Sequence, residues 1–114
     1  MHAFVAALLA LNVGATSGLY GKVVISPARP VCTVAEPCTA PDKNDILAFW
    51  QRGRRVATAR TTAEGRYRVA LAPGRYTVTA KHRAPIGRGL EPARVVVLRA
   101  RYARVNFSLD IGIR

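Results

Sequence analysis

Beyond Gly18, apolar and polar side chains alternate singly rather than in groups of three and four, and glycine or proline interrupts the alternation about every ten residues. Seven runs carry this two-residue rhythm: Leu19–Ile25, Asp45–Gln51, Arg55–Thr62, Arg66–Leu71, Arg75–Lys81, Ala93–Arg99 and Tyr102–Ile111. Tyr67, Val69 and Leu71 share one face of their run and Arg66 and Arg68 the other. Tyr76, Val78 and Ala80 are set against Arg75, Thr77, Thr79 and Lys81 in the same way, and Val105, Phe107, Leu109 and Ile111 alternate in the last run. The breaks between runs have turn chemistry. Arg52-Gly53-Arg54 reads as a hairpin, Gly65 is free to take a positive φ, and Pro73-Gly74 stops one strand before the next. Pro27, Pro30, Pro37 and Pro41 mark a long irregular loop, and the stretch from Ala84 to Pro92 reads as another. No helix-capping pattern opens a 3.6-residue apolar repeat. The expected fold is all-β, a seven-stranded antiparallel β-sandwich.

The N-terminus breaks the rhythm. Ala3 to Leu11 form an unbroken apolar run, followed by small and polar residues from Asn12 to Gly18. This is the layout of a signal peptide over residues 1–17, with cleavage after Ala15 or Ser17 and one domain over residues 18–114. The run falls short of the roughly 20 apolar residues of a membrane span, so no stable span is expected. The implied location is secreted, periplasmic or cell-envelope. An exported chain meets an oxidising compartment, where Cys32 and Cys38, in the Pro-rich loop, are expected to close a disulfide. The small ring would contribute about 2 kcal/mol by chain entropy, so its main effect is to shape the loop. Free thiols are the alternative; a metal site would need a second ligand pair.

Charge changes the picture further. The 114-residue chain has 18 Lys and Arg against 6 Asp and Glu, a net charge of +12. Nearly all the cations are arginine, spread from Arg29 to Arg114 with no run longer than Arg54-Arg55. Such a balance suits an anionic partner. Arginine on outward strand positions also discourages edge-to-edge pairing, which needs no ligand.

The stretch from Thr62 to Ala80, TAEGRYRVALAPGRYTVTA, resembles the core of carboxypeptidase regulatory-like domains, which are transthyretin (prealbumin)-type β-sandwiches. The opening SGLYGKV is similar to the first strand of such domains. The C-terminal DIGIR and the P-x-C…P-C loop resemble small exported bacterial proteins carrying one. The resemblance spans about residues 18–114 and implies a fold and an accessory or free-standing module, not an activity.

The residues offer little for catalysis. A zinc carboxypeptidase site needs a His/Glu/His set, and His82 is the only histidine outside the leader. A transthyretin-type hydrolase would need several histidines and a different tail. A triad would have to join His82 to Ser17, Ser26 or Ser108, and no G-x-S-x-G is present. Asp42, Asn44 and Asp45 offer three oxygen donors but no bidentate Glu for calcium, and read as a turn leading into a strand. Lys22 and Asn106, in the first and last runs, are the residue types of an isopeptide bond but lack a plausible acid beside them. No enzyme activity, cofactor or metal is therefore expected. The sequence points to an exported binding or structural module that presents an Arg66, Arg68, Arg75, Lys81 face to an anionic cell-envelope polymer or a protein partner. Nucleic-acid binding by the basic surface and a role as accessory subunit of a secreted hydrolase are the alternatives.

Overall fold

The computed structural model describes residues 16–26, 39–82 and 89–110. Residues 1–15 of the leader, Cys32, Cys38 and the DIGIR tail beyond Asp110 lie outside the described residues. Among the described residues there is no helix. Ten strands follow one another: β1 (Gly18–Ser26), β2 (Ala40–Pro41), β3 (Ile46–Gln51), β4 (Arg54–Arg60), β5 (Arg66–Ala70), β6 (Gly74–Ala80), β7 (Gly89–Glu91), β8 (Arg94–Val97), β9 (Tyr102–Arg104) and β10 (Phe107–Asp110).

Every run of the two-residue rhythm lands on strand. Three features were not foreseen. The short strands β2 and β7 form inside stretches that read as loop. The last run is broken at Val105-Asn106 into β9 and β10. The pairing is mixed rather than wholly antiparallel, because β1 runs parallel to both pieces of that run.

The strands form two sheets. In the first, β1 is shared along its length. Its N-terminal half pairs with β5 and β9, and its C-terminal half pairs with β2 and β10, with β7 outside β10. The second has the order β4-β3-β6-β8 and is antiparallel throughout. The β3–β4 hairpin turns on Arg52-Gly53, which sit between the paired Gln51 and Arg54, as the sequence suggests. Gly65 takes a φ of 80° in the turn before β5, and a Cβ there would lie 2.5 Å from the Val23 carbonyl. That position needs glycine on both counts.

One core serves both sheets. Leu19, Val23, Tyr67, Val69, Phe107 and Leu109 from the first meet Leu47, Phe49, Tyr76, Val78, Val95 and Val97 from the second. The Tyr67 ring lies between Phe49 and Phe107, at centroid distances of 6.4 and 5.5 Å. Burial of such rings supplies the largest single contributions to a core of this size. Neither tyrosine hydroxyl is left without a partner. Tyr67 donates to the Val105 carbonyl at 2.7 Å and Tyr76 to the Ala72 carbonyl at 2.6 Å. Burial holds both phenols above their ordinary pKa. Ser17, just before β1, is also buried: its hydroxyl donates to the Leu71 carbonyl at 2.6 Å and its own carbonyl accepts from the Leu71 amide.

Candidate functional site

The four cationic residues expected to share one face divide between two. Arg66 and Arg68 stand on β5 and point outward from the first sheet, whereas Arg75, on β6, and Lys81, just beyond it, belong to the second. The reason is topological: β5 pairs with β1, β6 pairs with β3 and β8, and the Pro73-Gly74 turn carries the chain from one sheet to the other.

The outer face of the first sheet gathers other residues around Arg66 and Arg68. Register places Tyr20 opposite Arg68 on one side and Arg104 on the other, and Lys22 directly opposite Arg66. Gly18 leaves open the ground between β9 and β5, since a Cβ there would strike Tyr102 at 2.6 Å. The Arg68 guanidinium therefore stacks over the Tyr102 ring, 4.0 Å from its centroid. The Arg104 guanidinium lies 5.8 Å from the centroid of Tyr20. Such cation–ring contacts hold an arginine in place without neutralising it.

Beside this ladder lies a cleft of about 340 Å³ lined by Tyr20, Gly21, Lys22, Arg66, Arg104 and Asn106. Its floor is where the last run breaks. A Cβ on Gly21 would sit 2.2 Å from the Val105 carbonyl, so only glycine lets the two chains come so close. Val105 donates its amide to the Tyr20 carbonyl at 2.8 Å, and the Asn106 side-chain oxygen accepts the Lys22 backbone amide at 3.0 Å. Asn106 thus takes the place of a strand carbonyl. The pair Lys22–Asn106 meets through the main chain, and the Lys22 side chain is exposed. Among the described residues, three cations and no carboxylate line the cleft.

The second sheet carries a shallower cleft of about 240 Å³, with Arg75, Arg94, Thr77, Val96 and Trp50 in its wall. Phe49 is fully buried, but Trp50 faces outward and donates its indole N–H to Thr79 Oγ1 at 2.9 Å.

A third cluster joins residues that the sequence left apart. Asp42 and Asp45 flank the turn between β2 and β3, in which Asn44 takes a φ of 51°, and His82 follows β6. The turn chemistry was legible; the burial of the two carboxylates was not, and Asp42 and Asp45 are 3% and 0% exposed. Thr61 rivets the turn. Its hydroxyl donates to the Asp42 carbonyl at 2.6 Å and accepts the Asp45 amide at 2.8 Å. Asp45 Oδ1 in turn accepts the amides of Ile46 and His82 at 2.7 and 2.9 Å. The His82 ring, 57% exposed, brings Nδ1 to 3.6 Å from Asp42 Oδ1 and 3.7 Å from Asp45 Oδ1. Burial above all, then hydrogen bonding and repulsion from Asp45, push the Asp42 carboxyl up to about 8.

No protein-family model matches the chain, and no curated protein matches it in sequence. The site must therefore be read from its own geometry.

Proposed function

We propose that this chain is an exported, non-catalytic β-sandwich module, of the carboxypeptidase regulatory-like and transthyretin-like type, that binds an anionic partner on the outer face of its first sheet. One observation carries the reading. Lys22 and Arg66 stand directly opposite each other across β1 and β5, beside Arg104, in a cleft whose wall holds no acidic side chain among the described residues. Like charges facing across a strand pair weaken the sheet. An arrangement that weakens the free domain is useful when an anion bridges the cations. The arginine fork then holds a phosphate or carboxylate through two hydrogen bonds. The expected partner is an anionic cell-envelope polymer. Ser17 is tied to Leu71, which favours removal of the leader after Ala15 rather than after Ser17.

The stacked tyrosines bear on the nucleic-acid alternative. Single-strand binders offer bare aromatic faces to bases. Tyr20 and Tyr102 each have an arginine over the ring, so the face is better suited to charge than to base stacking. The test is sedimentation of the mature domain with cell-envelope fractions at low and high salt, beside variants Arg66→Ala and Arg104→Ala. Salt-sensitive binding that both variants weaken supports the cleft. Binding that ignores both variants, or no binding at either salt, overturns it.

A further inference from the structure

The anion cleft leaves the Asp42, Asp45 and His82 cluster without a role. We propose that these three side chains form a binding site for a divalent transition-metal ion of the zinc type, on the opposite side of chemistry from the cleft and independent of it.

The donors come together from distant parts of the chain: a turn before β3 and the residue pair that follows β6. One donor atom from each of the three lies within 4.8 Å of the others. An ion bound to nitrogen and carboxylate oxygen at about 2.0–2.2 Å holds tetrahedral donors roughly 3.3–3.6 Å apart. The Nδ1 of His82 already stands 3.6 and 3.7 Å from the two Oδ1 atoms, so an ion fits between them with small side-chain adjustments.

A second observation is independent of this spacing. The Oδ2 atoms of both Asp42 and Asp45 are buried and have no hydrogen-bond partner among the described residues. Two of the 6 acidic residues in a chain of net charge +12 are thus packed against each other, each with an oxygen that no arginine, lysine or amide reaches among the described residues. Buried carboxylates are ordinarily paired or bound to a metal. Among the described residues no lysine or arginine is ion-paired with them, and the His82 ring alone comes within 4 Å.

The donor set selects the class of ion. An imidazole nitrogen with two carboxylate oxygens suits zinc and its first-row neighbours, whereas calcium and magnesium prefer oxygen alone. Thr61, the Ile46 amide and the His82 amide hold the carboxylates and their backbone in place, which is the supporting shell a metal site needs. The half-exposed His82 ring leaves the site open to solvent on one side, so water would complete the coordination.

The untagged full chain, stripped with chelator and desalted, is titrated with ZnCl₂ by calorimetry, and its melting temperature is followed in parallel. Asp45 accepts two main-chain amides, so its replacement threatens the fold. The informative variants are therefore His82→Gln, at an exposed side chain, and Asp42→Asn, with His2→Gln and Cys32→Ser/Cys38→Ser as controls for zinc held elsewhere. The proposal expects one equivalent of zinc, a raised melting temperature, and an affinity that falls by more than ~100-fold in both His82→Gln and Asp42→Asn but not in the controls. It is overturned if zinc does not bind, if calcium stabilises the chain and zinc does not, or if the two variants bind zinc as the parent does. In the first case the two carboxyls share a proton instead of a metal.

Discussion

Thr61 shows how much one side chain can organise. It is 1% exposed, and its hydroxyl both donates to the Asp42 carbonyl and accepts from the Asp45 amide. Valine has the same shape without either function. Thr61→Val leaves a donor and an acceptor buried and unpaired, so the urea midpoint should fall by an amount equivalent to about 2 kcal/mol. Asp42 gives a prediction in pH. Its carboxyl titrates at 3.8 when unfolded and at about 8 when folded, so between those values the folded chain binds more protons than the unfolded one. Stability falls with rising pH wherever the native state binds the excess. In metal-free protein the contribution of this group is therefore complete below about pH 4, is lost progressively as the pH rises, and levels off above about pH 8. Asp45 and His82 are the titratable groups that face it. Urea midpoints taken across this range should slope downward in the parent and in His82→Gln, and flatten in Asp42→Asn. A slope unchanged in Asp42→Asn would mean that other groups set it.

Among the elements, β1 does most to place the candidate site. Its N-terminal half carries Tyr20 and Lys22 to the outer face while Leu19 and Val23 enter the core, and Gly21 admits the crossing chain. Gly21→Ala would drive a methyl group into the Val105 carbonyl and the Asn106 side chain. The chain would have to separate β9 and β10 from β1, at a cost of about 3 kcal/mol, and lose the cleft floor with them. Thermal unfolding checks the first outcome, and loss of salt-sensitive binding by the fraction that still folds checks the second. The strands themselves were legible because alternation is a local property: Tyr67, Val69, Tyr76 and Val78 are buried, and Arg66, Arg68 and Arg75 are exposed, as the two-residue period requires. The partners of those strands were not legible. Nothing in the sequence near Arg104 says that its strand runs parallel to β1, and nothing near Arg75 says that its strand leaves β5 for another sheet. Sequence separation also hid the third cluster, since His82 meets Asp45 across 37 residues. Asp42 and Asp45 carried a visible signal, two acids at the head of a strand, but polar residues there usually face water. Their burial depends on Thr61 and on the end of β6.

At the scale of the whole molecule, a net charge of +12 acts in two directions at once. It steers anions to the surface from a distance, and it opposes the compact state by self-repulsion. The cleft concentrates that opposition, because Lys22 and Arg66 face each other across paired strands and no acid lines it among the described residues. The two roles can be separated with one substitution. Lys22 uses only its backbone amide to hold Asn106, so Lys22→Ala leaves the cleft floor intact. Removing the ammonium relieves the facing pair, and the free domain should gain about 0.5 kcal/mol, read as a higher urea midpoint at low salt. The gain should shrink as salt screens the pair. Under the proposed function, binding should change in the opposite sense: the variant should hold an anionic polymer more weakly, and the salt dependence of binding should become shallower by roughly one ion for the one cation lost. If the charge at residue 22 served only to keep strands soluble, stability would rise and binding would not move. If the charge were neutral to the fold, binding would weaken without any gain in stability. Opposite signs in the two measurements are what a domain shows when repulsion in its free state is relieved by its ligand.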